Sequence, residues 1–199
     1  MPPLPDFASA ASNGRYTYAD YLAWQHPPYV ELFAGRAHIR PTPWTQHQQC
    51  LGNLTAEISS YLKAHPHRAE RAYMGPLDVR LCAQSAADRQ TTTVVLPDLF
   101  VVRHRQQVDE LGCVGAPAWI IEVVSPRTVA RDMHTKFDLY AENGVREYWV
   151  VLPGERTVST YVLAGETYQS CGDYYEPGLI PSYTLPELPL EWADVFENV

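Results

Sequence analysis

The chain has 199 residues, of which 46% are hydrophobic, 19% charged and 12% aromatic. That length suits one domain with a sizeable core, and the composition excludes a disordered or low-complexity chain. Fifteen Lys and Arg against 23 Asp and Glu leave a net charge of −8, which argues against a broad basic nucleic-acid footprint and requires any positive surface to be local.

Residues 1–15, rich in Pro, Ala and Ser, read as a flexible tail, and 16–199 as a single domain without repeat or linker. The opening Met1-Pro-Pro-Leu-Pro-Asp6 lacks the basic and apolar regions of a signal peptide. Thr17–Trp24 predicts a short helix stopped by His26-Pro27-Pro28. Tyr29–Phe33 and Arg36–Arg40 flank Ala34-Gly35 as a hairpin, with Val30 and Leu32 on one face and Tyr29, Glu31 and Phe33 on the other. Thr45 and Gln48 have capping-box spacing before a helix whose stripe is Leu51, Leu54, Ile58, Tyr61 and Leu62. Strands are predicted over Glu70–Met74, Leu77–Leu81 and Thr93–Val102, the last bent at Pro97, with Gln84–Thr92 a polar loop.

Ala118–Val124 is an apolar run broken only by Glu122, which predicts a central strand covered on both faces. After Pro126, a helix capped by Thr128 carries the stripe Val129, Met133, Phe137 and Tyr140 and stops at Asn143-Gly144. Glu147–Val151, Thr157–Leu163 and Thr167–Cys171 read as a meander, followed by a Pro-rich tail that wraps loosely to a short element within Leu190–Val199. No run of about 18 apolar residues predicts a membrane span. Cys50, Cys82, Cys113 and Cys171 form no C-x-x-C pair and read as buried thiols in a reducing, cytoplasmic setting.

Three side chains and one carbonyl carry the chemistry. A carboxylate inside a buried strand is costly unless a metal, a partner charge or water compensates it, which singles out Glu122. Asp98, after Pro97 near a strand end, is a second hard-oxygen group, and the carbonyl of Val123 a third; such a set suits Mg²⁺ or Mn²⁺. Lys136 is one of two lysines in the chain. Counted from Thr128 it lies about 12 Å along its helix, comparable with the roughly 7–10 Å that separates Glu122 from the end of its strand. Spacing alone equally permits Asp132 and Lys136 to be a solvated surface pair. The scarcity of lysine and the setting of Glu122 favour the site.

Tyr29-Val-Glu31-Leu-Phe-Ala-Gly35, Pro41–His47, Pro97-Asp98-Leu-Phe-Val-Val, Glu122-Val-Val-Ser-Pro-Arg-Thr128 and Lys136-Phe-Asp-Leu-Tyr-Ala-Glu-Asn-Gly-Val-Arg-Glu-Tyr-Trp149 occur in one order over about residues 17–170. This arrangement resembles the Uma family of restriction-endonuclease-like proteins, within the PD-(D/E)XK nuclease superfamily. The resemblance implies an α/β fold, with a central mixed sheet flanked by helices and an active site at one sheet edge. It implies Asp98 and Glu122 as metal ligands, Lys136 as the residue that orients or activates water, and Glu31 as a further acid. Val124 stands where the superfamily motif has lysine, and Lys136 on the following helix takes that role.

His47 is a candidate contact to substrate phosphate, as are Ser125, Arg127 and Arg131 around the turn after Glu122. Ser125 has no G-x-S-x-G elbow and suits capping that turn better than attack. Arg103 and Arg105, with Arg127 and Arg131, are candidates for a small basic rim. The reading is a Mg²⁺- or Mn²⁺-dependent endonuclease acting on DNA as a homodimer, with Tyr161, Tyr168 and Tyr174-Tyr175 in the interface. The alternatives are a nuclease-fold module that binds DNA or protein without cutting, and a hydrolase of small phosphodiesters.

Overall fold

The turn Ala34-Gly35 takes φ of 49° and 82°, the left-handed pair that matches the twist of a two-residue hairpin. It folds β1 (Val30–Phe33) onto β2 (Arg36–Ile39), as predicted. The computed structural model describes residues 15–24, 29–82, 87–124 and 132–199. Residues 1–14 of the expected 1–15 tail, the stop at His26-Pro27-Pro28, and Ser125, Arg127, Thr128, Val129 and Arg131 lie outside the described residues.

The remaining strands are β3 (Arg71–Met74), β4 (Val79–Arg80), β5 (Val94–Val95), β6 (Leu99–Val102), β7 (Val108–Asp109), β8 (Gly112–Val114), β9 (Trp119–Val123), β10 (Glu147–Leu152), β11 (Thr157–Ala164) and β12 (Thr167–Tyr174). The helices are α1 (Tyr18–Ala23), α2 (Thr45–Ala64), α3 (Phe137–Glu142) and α4 (Trp192–Val195). The α/β class and the mixed strand directions are as expected, but the strands divide into two sheets. One runs β2-β1-β5-β4-β8-β7 and the other β12-β11-β10-β9-β6-β3. In the first β4 and β8 are parallel, in the second β9 and β10 are parallel, and the other pairings are antiparallel.

The strand predicted over Thr93–Val102 is therefore two strands in two sheets. Pro97 has no N–H to give to a ladder, and Leu96-Pro97-Asp98 carries the chain from β5 in the first sheet to β6 in the second. This crossing point is where the site forms. The strands β7 and β8, of two and three residues, are not predicted from the sequence, being too short to show any period.

Strand β9 is the covered central strand that its apolar run predicts. Trp119, Ile121 and Val123 face a core shared with α2, while Ile120 and Val124 face the side closed by Tyr140 and Ala141 of α3. Trp149 and Val151 alternate with Tyr148 and Val150 in the same way on β10. Helix α2 begins at its expected cap, Thr45, so the cap itself falls one residue earlier. Trp44 is the N-cap and makes no side-chain cap bond, because its indole N–H can only donate, while its carbonyl accepts the first helical bond from the Gln48 N–H.

The Pro-rich tail is not loose. Ile180, Leu185, Leu188, Leu190, Val195 and Phe196 are buried in the α2-side core. Glu147 holds that tail by accepting hydrogen bonds from Ser182 Oγ and the N–H groups of Tyr183 and Thr184. Tyr168 is buried with its hydroxyl on the Val145 carbonyl, and Tyr161 packs edge-on to Phe137. Tyr168 therefore does not present the apolar surface expected of it, while Tyr161 is partly exposed. Only Cys50 and Cys113 are buried thiols; Cys82 is intermediate, and Cys171, on the outermost strand β12, is exposed. No described helix is long and apolar enough to cross a membrane.

Candidate active site

Register brings the acids together. In the β6–β9 ladder Leu99 faces Ile121 and Phe100 faces Ile120. One step further the same register sets Asp98 opposite Glu122, on the face that α3 covers, since alternate residues share a face. Across the sheet junction, β1 contributes Glu31. All three carboxylates are buried: Glu31 is 0%, Asp98 4% and Glu122 2% exposed.

Lys136 closes the group. It ends a π-helical turn, Asp132–Lys136, that leads into α3; single π turns recur at functional sites because they shift which side chain faces a cleft. Its Nζ lies 2.8 Å from Glu122 Oε1 and 2.9 Å from Glu31 Oε1, and the residue is 1% exposed. The surface-pair reading of Lys136 is thereby excluded. One helical turn on, the Tyr140 hydroxyl donates to Glu122 Oε1 at 2.6 Å. The sequence reading placed Tyr140 in the core stripe, where it is, without its polar role; its spacing of four from Lys136 was the available signal.

Asp98 is fixed from three sides. Its Oδ2 accepts from the Val123 N–H at 2.8 Å and lies 3.1 Å from His47 Nε2, and its Oδ1 lies 2.7 Å from Arg40 Nη2. His47, in the first turn of α2, thus touches the acid; its Nδ1 has no hydrogen-bond partner among the described residues. Glu31 Oε1 also accepts from the Leu96 N–H at 3.0 Å, so the sheet crossing itself positions this carboxylate.

Arg40 is the residue the sequence reading missed. Besides Asp98 it lies 3.9 Å from Glu122 Oε2 and donates to the Leu96 carbonyl. The hairpin held the signal: β1 and β2 pair Glu31 with His38, so Arg40, two residues on, shares the Glu31 face. Of the four arginines expected as a rim, the two that are described, Arg103 and Arg105, behave otherwise. Arg103 follows β6 at the end away from Asp98, roughly 16 Å along the chain at strand rise, and both Arg103 and Arg105 are exposed there.

Electrostatics follow from this packing. Burial pushes the Glu31 carboxyl up, but the charges of Lys136 and Arg40 outweigh it and hold the group below its ordinary value. Burial acts likewise on Asp98, and the His47 hydrogen bond with the Arg40 charge holds it well below the carboxylate range. Both are carboxylates at neutral pH.

Among the described residues no three His, Cys, Asp or Glu side chains are grouped so as to hold a metal ion. The donor chemistry nevertheless fits a hard cation. Asp98 Oδ1 and Glu122 Oε2 already face one positive group, Arg40 Nη2. Glu31 Oε2 is buried with no hydrogen-bond partner among the described residues. Val123, proposed as a carbonyl ligand, meets the site through its N–H to Asp98.

Comparison with known proteins gives one family and one fold. The model of the Uma2 family, described as "Putative restriction endonuclease", matches residues 18–193. A solved structure, "a putative nuclease belonging to DUF820 from Anabaena variabilis ATCC 29413", superposes with a TM-score of 0.70 at 24% identity, covering 90% of this chain and 97% of that one. No protein of curated function matches.

Proposed function

The chain belongs to the Uma2 family, and from that premise we propose that it is a metal-dependent endonuclease that hydrolyses phosphodiester bonds of DNA through Asp98, Glu122 and Lys136. The observation that carries this reading is the position of Lys136. A solvent-facing lysine would suit any α/β domain; a lysine 1% exposed between two buried acids is a costly arrangement that matches what phosphoryl chemistry needs.

Asp98 and Glu122 would hold Mg²⁺ or Mn²⁺, with Val123 and Glu31 adjacent; when bound, the ion polarises a phosphoryl oxygen and lowers the pKa of a water. Lys136 supplies a fixed positive charge for the negative charge that develops on the phosphoryl oxygens. Glu31 and Tyr140 hold the lysine and Glu122 in place, so little reorganisation is needed at the moment of reaction. His47 fixes Asp98 and stands at the start of α2, where phosphate is favoured by the helix N-terminus. A homodimer would bring two such sites to the two strands of a duplex.

Purified protein is expected to nick supercoiled DNA with Mn²⁺ or Mg²⁺, and Glu122→Gln to abolish nicking while far-ultraviolet circular dichroism stays unchanged. Cleavage that survives both Asp98→Ala and Glu122→Ala would trace to a contaminant and remove the assignment. The second reading, a nuclease-fold module that binds without cutting, draws on Arg40 already neutralising Asp98 and on the charge of −8. For that protein, calorimetry with Mn²⁺ gives no heat that depends on Asp98 and Glu122.

A further inference from the structure

Arg40 differs from its neighbours in exposure. Glu31, Asp98, Glu122, Lys136 and Tyr140 are each at most 4% exposed and His47 7%, whereas the Arg40 side chain is 20% exposed. Its side chain is thus the most exposed of the cluster, while its guanidinium lies against the oxygens that would take a metal, Asp98 Oδ1 at 2.7 Å and Glu122 Oε2 at 3.9 Å.

Charge points the same way. The described cluster holds three buried acidic side chains, Glu31, Asp98 and Glu122, and two basic ones, Lys136 and Arg40. Counting these five groups alone, one negative charge is left over. Adding a divalent ion while Arg40 stays would leave one positive charge, buried beside a guanidinium. Exchanging Arg40 for the ion leaves none, and unpaired buried charge is the expensive outcome. A long side chain at the surface end of β2 can swing outward at little cost, because its charged head prefers water.

Resting on the metal-dependent reading above, we propose that Arg40 and a divalent cation are alternative occupants of the Asp98–Glu122 carboxylate pair. Arg40 is the counter-cation of the metal-free protein, metal entry displaces it, and it then stands at the mouth of the site, where its planar fork suits a substrate phosphate. It is a positioning residue toward the metal, and the metal-free state is closed by its own side chain.

The test uses the whole chain and Mn²⁺ or Mg²⁺ alone, without DNA. Calorimetry with Mn²⁺ is run on the wild type, Arg40→Gln and Arg40→Lys, each first checked for a cooperative thermal transition. Arg40→Gln is expected to bind at least tenfold more tightly than the wild type. Arg40→Lys, which keeps the charge without the fork, is expected to fall between, and it keeps the comparison usable should the glutamine variant not fold. Removing a charge alone could tighten binding, so displacement is read directly from the arginine side-chain ¹⁵N–¹H signals. The Arg40 Nε–H resonance should shift and sharpen on Mg²⁺ addition, with the midpoint found by calorimetry. Mg²⁺ binding that leaves this resonance unmoved overturns the exchange and leaves the metal site standing. Absence of binding by all three proteins at millimolar metal overturns both.

Discussion

Lys136 joins two acids that come from different sheets, Glu31 on β1 and Glu122 on β9, so its removal should be felt in stability as well as activity. Lys136→Met keeps the volume of the stem and leaves two buried carboxylates without their shared cation; breaking a buried pair in this way costs about 3–5 kcal/mol. Urea denaturation should show the midpoint lowered at unchanged slope, and a loss below about 1 kcal/mol, the range of exposed pairs, would mean that the cluster is well hydrated. Asp98 and Glu31 give a second, pH-dependent expectation. Their folded pKa values are depressed, so their contribution is present in full above the unfolded values near 4 and is lost as pH falls below them. The wild-type melting temperature should therefore drop on acidification below about pH 4, and Asp98→Asn should drop less steeply over the same interval. Equal slopes for the two proteins would assign the acid limb to other carboxylates.

At the scale of elements, the hairpin β7–β8 is a place where backbone, not side chains, sets the packing. Gly112 has φ of 130°, and a Cβ added there would run into the Asp78 carbonyl. The Cys113 N–H bonds that same carbonyl, and Asp78 in turn accepts from the hydroxyls of Tyr18 and Tyr21 on α1. Gly112→Ala should therefore lower stability by at least the 1–3 kcal/mol of a strained backbone, with thermal melting as the measure. Faster hydrogen exchange should appear first in β8 and α1. A variant as stable as the wild type would show that the hairpin yields freely. Glu147 performs a comparable office at the other end, tying the tail to β10. Burial raises its pKa, with the hydrogen bonds from Thr184, Tyr183 and Ser182 opposing that rise. Its contribution is thus the reverse of that of Asp98, full below the unfolded value near 4 and declining as pH rises through the folded one.

For the whole molecule, a charge of −8 and the departure of Arg103 and Arg105 from the site leave few described groups to grip a DNA backbone. Each phosphate neutralised contributes a slope of about −0.9 to the logarithmic salt dependence, so a shallow slope is expected for this protein. The proposed homodimer rests on the edge of a late strand more than on its tyrosines. Tyr161 and Tyr168 are used inside the fold, but β12 is an outer strand of eight residues, and Tyr175 beside it is 66% exposed. Unpaired strand edges are templates for pairing with another chain, so two β12 edges related by a two-fold axis are the expected contact. Light scattering at micromolar concentration should give twice 22.5 kDa, and Ser170→Pro on β12 should halve it. A monomer mass that neither DNA nor Mg²⁺ alters would end this proposal.

What the sequence determined by itself was whatever depends on short-range pattern. The turn chemistry of Ala34-Gly35 determined the first hairpin, and the apolar run of β9 its central place. The single acid inside that run gave Glu122, and the rarity of lysine gave Lys136. What pattern cannot reach is which distant segments meet. That Asp98 stands across from Glu122 follows from a ladder register, and that Glu31 joins them follows from the crossing at Leu96-Pro97-Asp98 between two sheets. Arg40 belongs to the same class: its alternation was readable, but its partners lie 56 and 58 residues away. The tail looked loose because prolines interrupt every period, yet its apolar residues had a core to enter. Only tertiary structure decided these points, because burial free energy and charge compensation depend on neighbours in space, and the chain's local rules leave those neighbours open.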